Sequence, residues 1–574
     1  MEGHKMTLTR NLLAQGFALG LLSTSALAGQ ADVAFVNGRF WTVNPAQSEA
    51  AAVAVKNGVF VAVGTTAEIT ALADATTKVI DLHGQRVLPG LIDAHTHPLE
   101  TLWMKSDWVD ARYPETPSVA VALTNIATRV GTSAPGDWIF VACVSASENK
   151  FAEKRLPTRA ELDEVAPGNP VILANGAHMA VVNSKALEAL GITKGMTRLP
   201  KGGGVLTDAD GNPTGVITDG FADIPSAPKP AEVIAYYGQG IAQFWNQYGF
   251  TSMLAITPHQ VVPALQAVSQ SVKQPNIRYT VSVWGAPDGK DLPDDLSAFD
   301  MPKDADPNYY RFAGIKAWVD GENDARTGYM YDPYEGHFDI DPAGGRGTLV
   351  TPQVEANAFV DLARRNNRLA MLHCSGDAAT DICLTAYERD AAATPHANMR
   401  RIEHFGMFQL SDAQLQRAQA LKKTGLYISV QPIWLTELVK ADFENMGAER
   451  ASTGYKFETM IKAGLEPAAS TDMTGLYLGN IDPFKAMQAL VTRQSDMGLF
   501  EPEEAVSVQD AIRMWTVWPA KSLGEAEHRG SIEVGKLADM TVLTQDILSV
   551  PGDKIAETQA AETIVGGRVV YTRP

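Results

Sequence analysis

Short apolar runs separated by turn signals occupy both ends of the chain. Residues 33–63 contain β-branched and aromatic runs that are interrupted by Asn37-Gly38 and Asn57-Gly58, and such pairs are typical of two-residue hairpin turns. Residues 539–571 show the same pattern around Gly566-Gly567. We therefore predict one small β-sandwich domain built from both chain ends. Its two parts are residues 29–85 and 530–574.

The middle of the chain alternates apolar strand-like runs with helical patterns. This alternation predicts a parallel sheet covered by helices, and eight such units are the pattern of a (β/α)8 TIM barrel. The fold class is therefore α/β, with the barrel in residues 86–529. The eight predicted strands are residues 86–93, 251–256, 277–284, 312–319, 369–374, 399–404, 426–431 and 466–471.

The first two predicted barrel strands are separated by far more residues than a single helical crossover needs. The intervening chain contains further β-like pieces, so we predict an insertion at about residues 100–240. An insertion at this point lies over the barrel mouth, where it would form a lid or a wall of the pocket.

The N-terminus has the pattern of an export signal. Lys5 and Arg10 precede the apolar residues 12–22, and Ala26-Leu27-Ala28 supplies a small-residue cleavage site. We predict a signal peptide at 1–28, export to the periplasm or beyond the cell, and no stable membrane insertion once the signal is removed.

Charge and cysteine content narrow the class of partner. The 48 Lys and Arg against 66 Asp and Glu give a net charge of -18, which argues against nucleic acid or anionic lipid and favours a neutral or cationic small-molecule substrate. The three cysteines, Cys143, Cys374 and Cys383, have no metal-type pair spacing. We predict no disulfide framework, and we expect Cys374 to be a packing residue.

The most informative motif is a buried strand that ends in His95-Thr96-His97. Residues two apart on a strand share a face, and the carboxyl end of a barrel strand is where active sites lie. Two imidazoles converging there suit a divalent transition metal. His-x-His alone is a common accident, but its place after this strand favours a metal site.

Three further strand ends carry polar groups that match this motif. They are His373, His404 and Asp472. Any one of them could be an ordinary hydrogen-bonded core or loop group. Their occurrence at strand carboxyl ends in one register favours a shared site.

These motifs together resemble the amidohydrolase superfamily. The narrower likeness is to the YtcJ-like branch that includes N-substituted formamide deformylases, and it spans nearly the whole chain after the export signal. The stretches that carry it are residues 89–97, 183–187, 208–215, 249–252, 314–316, 320–321, 376–377, 401–404, 470–472 and 530–539.

The resemblance implies a metal site with one or two ions, zinc being the default. It implies that His95 and His97 hold one ion, and that His373 and His404 hold the same ion or a second one. Asp472 is the implied catalytic residue and a further ligand beside the attacking water. In that role it accepts the proton of the water and passes it to the departing nitrogen.

Lys316 matches the position at which many relatives carry a carboxylated lysine between two metals. A buried lysine with a lowered pKa can react with carbon dioxide and become an anion. The alternative is that Lys316 pairs with Asp320 or Glu322, so the number of metal ions stays open.

Three residues are weaker candidates for substrate binding. His178 matches a histidine of the family's insertion and could reach a substrate carbonyl, although a structural hydrogen bond is an equal alternative. Trp318 and Trp434 adjoin strand ends and could wall the pocket, although aromatic residues are usually core.

The implied activity is hydrolysis of a carbon–nitrogen bond in a small amide, N-formyl amine or cyclic amide. A deaminase or an ester or lactone hydrolase could use the same site, because the site determines water activation more than the leaving group. A non-catalytic binding or regulatory protein on this fold is the alternative from another class. Relatives of this kind often associate, so a homo-oligomer is possible.

Overall fold

A computed structural model describes residues 31–143, 150–201, 203–220, 223–224, 228–286, 288–335, 345–394, 400–476 and 481–574. The predicted signal peptide lies outside these residues. None of the helices in the described ranges is long and apolar enough to cross a membrane.

Strands and helices alternate along most of the chain. The described strands are β1 Val33–Val36, β2 Arg39–Trp41, β3 Glu49–Ala50, β4 Ala52–Lys56, β5 Val59–Gly64, β6 Lys78–Asp81, β7 Arg86–Pro89, β8 Leu91–Thr96, β9 Val109–Asp110, β10 Ile139–Cys143, β11 Val171–Asn175, β12 Met179–Val182, β13 Gly204–Thr207, β14 Pro213–Thr218, β15 Phe250–Pro258, β16 Arg278–Trp284, β17 Tyr310–Trp318, β18 Leu369–His373, β19 Arg400–Glu403, β20 Leu426–Val430, β21 Ala468–Ala469, β22 Gln494–Ser495, β23 Gly498–Leu499, β24 Met540–Leu543, β25 Ala560–Val565 and β26 Arg568–Thr572.

Several of the helices begin after a residue whose side chain caps the first turn. Ser411, for example, accepts a hydrogen bond from the Gln414 N–H at 3.2 Å. The α-helices of the described ranges are Thr66–Thr70, Pro98–Asp107, Val119–Val130, Arg159–Val165, Ser184–Ala189, Pro230–Ala235, Ile241–Asn246, Val262–Ser271, Gln353–Arg365, Asp377–Ala393, Asp412–Lys422, Val439–Met446, Ala448–Ala451, Phe457–Lys462, Pro483–Thr492, Val508–Met514 and Val517–Ser522.

The central sheet is an eight-stranded parallel barrel, which confirms the predicted fold class. Its strands follow the order β21-β20-β19-β18-β17-β16-β15-β8. The chain after β21 meets β8 through two backbone hydrogen bonds, from Asp472 N to His95 O and from His97 N to Met473 O, both 2.9 Å. These bonds bring the carboxyl ends of the first and last strands together.

The first predicted barrel strand is divided at Gly90. β7 pairs with β2 and β24 in a different sheet, whereas β8 pairs with β15 in the barrel. A Cβ at Gly90 would overlap the Thr251 side chain, so only glycine lets the chain pass from one sheet to the other here. His95 consequently lies within the first barrel strand rather than after it.

Two sheets outside the barrel contain strands from the chain ends. One has the order β5-β4-β1-β6, and the other, β26-β25-β24-β7-β2-β3, combines strands from both ends. Apolar side chains from strands of both sheets, including Phe35, Phe40 and Ile564, pack into one cluster. The buried Arg278 on β16 forms a paired contact with Asp539 at 2.7 Å and so ties these sheets to the barrel.

The segment between β8 and β15 forms a further six-stranded sheet of order β13-β14-β12-β11-β10-β9. Its two faces carry separate apolar clusters, one around Val141 and Leu173 and the other around Ile172 and Ile217. The insertion therefore has a core of its own beside the barrel.

The cysteine prediction was wrong in one respect. Cys374 and Cys383 form a disulfide with their Cα atoms 6.8 Å apart, joining the end of β18 to the following helix. Cys374 therefore does more than pack. Their separation of 9 residues gave no motif signal, since the two cysteines meet only when the helix packs against the end of β18.

Candidate metal centre

The carboxyl ends of five barrel strands place the predicted ligands around one point. His95 lies on β8 and Lys316 on β17, His373 is the last residue of β18, and His404 follows β19. Asp472 follows β21 after two further residues. His97 precedes the helix Pro98–Asp107, where it occupies the N-cap position.

Three of these side chains converge most closely. His95, His404 and Asp472 offer ligand atoms that all lie within 4.8 Å of one another. His95 Nε2 is 3.3 Å from Asp472 Oδ1, and His404 Nε2 is 3.8 Å from Asp472 Oδ2. Ligands about 2.1 Å from a tetrahedral ion are about 3.4 Å apart, so this spacing suits one small cation.

Buried partners determine which ring nitrogen of each histidine carries the proton. Glu403 Oε2 lies 2.6 Å from His95 Nδ1, and Gln431 Oε1 lies 2.8 Å from His404 Nδ1. Since both oxygens accept, the Nδ1 atoms donate and the lone pairs remain on Nε2. Such outer partners orient metal-binding imidazoles.

Arg401 holds Glu403 in turn. Its guanidinium contacts both carboxylate oxygens of Glu403, at 2.6 and 2.8 Å, and both side chains are fully buried. Burial would raise the pKa of Glu403, but the charge and hydrogen bonds of Arg401, together with the Lys316 charge, outweigh burial and lower that pKa. Glu403 therefore stays an anion that accepts from His95.

The donor atoms fit a metal ion by their chemistry. Among the described residues, His404 Nε2 and Asp472 Oδ1 are buried atoms with no hydrogen-bond partner. Burial, reinforced by neighbouring positive groups including Lys316, lowers the pKa of His95 and His404 well below the usual value and keeps both imidazoles neutral. Neutral imidazole and carboxylate are ligands that zinc prefers.

His404 and Asp472 also have strained backbones. Their φ angles are 63° and 44°, in the left-handed region that side-chain-bearing residues seldom adopt. Such strain costs about 1–3 kcal/mol at each residue and commonly marks functional sites.

His97 and His373 lie beside this group. His97 Nε2 is 3.5 Å from Asp472 Oδ1. The His373 ring centroid is 4.4 Å from that of His404, but its Nε2 is 2.9 Å from the Gly321 carbonyl oxygen. Because a carbonyl only accepts, His373 Nε2 donates there and Nδ1 holds the lone pair.

Lys316 faces the histidines. Its Nζ is 2.9 Å from His95 Nε2, and burial lowers its pKa. The two alternative partners are engaged elsewhere: Asp320 accepts three backbone N–H groups, and Glu322 lies 3.5 Å from His178.

His178 reaches the pocket from the insertion. Its Nδ1 is 2.6 Å from Asp219 Oδ1, and its Nε2 is 3.5 Å from Glu322 Oε1. Burial lowers the pKa of His178, but the Glu322 and Asp219 carboxylates outweigh it and raise the pKa to about 9. The imidazolium is a cation within 5.0 Å of the His373 ring.

The two candidate tryptophans have different places. Trp318 lines the main pocket, which encloses about 1120 Å³ including its open mouth. Trp434 stacks on the His404 ring at 5.4 Å with an interplanar angle of 6° and lines an adjoining hollow. Trp434 thus supports a predicted ligand, whereas Trp318 is available to a bound molecule.

Sequence reasoning assigned no role to several residues of this centre. Glu403 and Gln431 orient the histidines, and Glu100 lines the pocket one helical turn after His97. A signal for Glu403 was present in the sequence, because Arg401 and Glu403 are two charged residues on the same face of a buried strand. Glu100 gave no comparable signal, because a first-turn glutamate is ordinary in a helix.

A family model described as an amidohydrolase family matches residues 78–571. The chain belongs to the amidohydrolase family. The resemblance inferred from its motifs, including the YtcJ-like branch, is confirmed, and the matches support a metal-dependent enzyme.

Two relatives are similar to this amidohydrolase over most of their length. It is 27% identical over 560 residues to N-substituted formamide deformylase from Arthrobacter pascens, covering 94% of this chain and 98% of the relative. It is 24% identical over 509 residues to the putative amidohydrolase YtcJ of Bacillus subtilis (strain 168), covering 87% and 91%.

A solved structure shares the fold. An uncharacterized metal-dependent hydrolase from Pyrococcus horikoshii OT3 superposes with a TM-score of 0.68 at 24% identity, covering 91% of this chain and 99% of that one.

Proposed function

We propose that this amidohydrolase cleaves a carbon–nitrogen bond in a small amide, N-formyl amine or cyclic amide with an activated water. The observation that carries the proposal is the convergence of His95, His404 and Asp472 at the barrel mouth, with two unpartnered buried donor atoms. The deformylase relative favours amide-type bonds over the alternative leaving groups.

Zinc is the proposed ion, held by His95, His404 and Asp472, with His97 and His373 as adjacent ligands. A divalent ion bound here lowers the pKa of a coordinated water toward neutrality and polarises a substrate carbonyl. Burial raises the pKa of Asp472 to about 6 although the Lys316 charge opposes it. A carboxylate with this pKa can accept a proton from water and return it to a leaving nitrogen.

His178 is the proposed donor to the substrate. Its imidazolium lines the same pocket as Asp472 and is oriented by Asp219. A cationic N–H at this position would stabilise the negative charge that develops on a carbonyl oxygen under attack. The insertion then supplies one catalytic group and the barrel supplies the others.

Lys316 is a proposed carboxylation site, which would favour two ions. Its burial, lowered pKa and lack of the two alternative ion pairs support this. Carbon-13 NMR of protein equilibrated with labelled bicarbonate tests it. A carbamate signal that is lost in Lys316→Met supports carboxylation, and an unchanged spectrum contradicts it.

We also propose that the protein is exported. The N-terminal pattern of positive residues, apolar run and small-residue site supports this, and the Cys374–Cys383 disulfide fits an oxidising compartment. Sequencing the N-terminus of protein recovered outside the cytoplasm tests the predicted cleavage after Ala28.

The function is tested by product detection with zinc-loaded protein. The panel consists of N-formyl amines, N-acyl amino acids, cyclic amides, lactones and aminated heterocycles, each analysed by mass spectrometry. We expect turnover of an amide class that falls about 10³-fold in Asp472→Asn, with metal still bound.

Asp377→Asn is the matched control. Asp377 lies just after the end of β18, accepts from the Tyr331 N–H at 2.9 Å and is not part of the metal group. The Asp377→Asn substitution should leave turnover within about twofold of the unmodified protein, because Asp377 lies outside the proposed metal group. Retained turnover in Asp472→Asn would refute the role of Asp472, and turnover of only lactones or heterocycles would replace the proposed bond.

A further inference from the structure

Part of the pocket wall is made of indoles. Trp103 lies on the helix after His97, and Trp108 is the C-cap of that helix. The two indoles meet edge to face, with their ring centroids 5.4 Å apart. Trp284 and Trp318, at the ends of β16 and β17, are in edge contact at 5.8 Å. All four line the pocket. Indole faces attract cations through the ring quadrupole.

Glu100 lies on this same wall. It is one turn after His97, about 4.5 Å along the helix axis, and shares a helix face with Trp103 and Met104. Among the described residues, neither of its carboxylate oxygens makes a hydrogen bond, although both atoms are buried. Burial raises the pKa of Glu100 to about 7, and the nearby Trp284 indole opposes this only partly.

The other charged groups of the pocket have partners. Asp219 and Glu322 face His178, while Lys316 faces His95. Asp472 belongs to the metal group. In the part of the chain that the structure describes, Glu100 thus differs from the other pocket carboxylates in facing no cationic group, and the polar group near it is the Trp284 indole N–H.

An unpaired carboxylate in an apolar wall is costly unless a ligand pairs with it. Leaving such a group unpartnered costs about 1–3 kcal/mol, and more when it is charged. A neutral apolar ligand would increase this cost by excluding water from Glu100. A ligand carrying a positive charge would remove it and would gain contact with the indole faces.

We propose that Glu100 and the tryptophan wall form a subsite for a cationic group, so that the substrate is an amide bearing an alkylammonium or similar cation. Glu100 is the specificity-determining residue. The inference rests on the proposed function for the identity of the bond but not for the existence of the subsite. The net charge of -18 is consistent with attraction of such a substrate.

Two probes of the same shape separate charge from size. Choline and 3,3-dimethylbutan-1-ol share a hydroxyl and differ by one positive charge. We expect zinc-loaded protein to bind choline about tenfold more tightly, measured by tryptophan fluorescence or calorimetry. In Glu100→Gln, which keeps the shape and removes the charge, the ratio should fall to about twofold.

Glu562→Gln is the matched control. Glu562 on β25 is also a half-buried glutamate with a raised pKa and, among the described residues, an unpartnered buried oxygen, but it does not line the pocket. It should keep the tenfold ratio. Equal binding of the two probes, or a preference that persists in Glu100→Gln, would overturn the subsite.

Turnover of the matching pair of formamides extends the test. Formamides of 2-(trimethylammonio)ethylamine and 3,3-dimethylbutylamine should differ about tenfold in kcat/KM in favour of the cation. Selective choline binding without turnover of either formamide would support the subsite and would remove N-formyl amines from the proposed substrates. Turnover of both at equal rates would support the reaction and overturn the subsite.

Discussion

Glu403, which holds His95 from behind, and Glu100, which lines the pocket, are two glutamates held in opposite ways. Glu403 contacts His95 and the two arms of Arg401, and its pKa is lowered. Glu100 faces no cationic group among the described residues and has only the Trp284 indole N–H near it, and burial raises its pKa to about 7. The candidate metal ligands are therefore held in place before any ligand binds. The aromatic wall, in contrast, contains a carboxylate without a positively charged partner.

The largest expected effect concerns one of the candidate metal ligands. His404→Asn removes a proposed metal-binding nitrogen while keeping a residue type that tolerates the φ of 63°. Turnover should fall by more than about 100-fold, since losing even an outer partner costs 10–100-fold. Metal content measured by mass spectrometry should also fall.

His83→Asn is the control for that change. His83 has a φ of 49° and an 81% exposed side chain and is not part of the metal group, so turnover and metal content should not move. Full metal loading of His404→Asn would remove His404 from the ligand set.

The second-largest expected effect concerns whether Glu403 holds the metal-site histidine in place. Glu403→Gln leaves the buried Arg401 without an anion, so unfolding free energy should fall by about 3–5 kcal/mol. Zinc affinity should fall about 10–100-fold because His95 loses its charged acceptor. Denaturant unfolding and chelator competition measure the two quantities, and unchanged zinc affinity would show that Glu403 only supports the fold.

His178 also lines the pocket and should make stability depend on pH. Its folded pKa, about 9, exceeds the ordinary 6.5, so its contribution is present below pH 6.5 and lost as pH rises through 9. In metal-free protein, the stability advantage over His178→Gln should shrink by about 3 kcal/mol across this window. The surface change His528→Gln should show no such trend, and a flat difference for His178→Gln would contradict the raised pKa.

The smallest effect tests the aromatic side. The raised pKa of Glu100 means that its contribution to stability is present below pH 4.5 and lost as pH rises through 7. Glu100→Gln should therefore stabilise ligand-free protein by about 1–3 kcal/mol at pH 8. At pH 4.5 the two proteins should be equally stable in thermal unfolding. Destabilisation at pH 8 would mean that Glu100 has a structural partner.

Much of the barrel and the predicted ligand set could be read from local patterns. Apolar runs of strand length located β15 to β20 to within a few residues, because these strands are buried on both faces. The break at Gly90 escaped this reasoning, since both halves of the run are equally apolar and the break depends on Thr251 packing against the glycine.

Hydrogen-bond partners that are far apart along the chain could not be predicted from the sequence either. Glu403 acts on His95 across 308 positions, and Asp219 acts on His178 across 41. Neither pair has a spacing signal, because a hydrogen bond between elements depends on how the sheet and insertion are stacked. The disulfide of Cys374 and Cys383 depends likewise on the angle between β18 and its helix.

The sequence by itself determined the strand periodicity, the choice of histidine and aspartate at strand carboxyl ends, and hence the family and the class of chemistry. These follow from residue type and near-neighbour spacing. Only the tertiary structure decided which carboxylates are paired and which are left unpaired in the pocket. Burial and partner distance set the charge of Glu403 and Glu100, and both quantities exist only once distant segments have packed together.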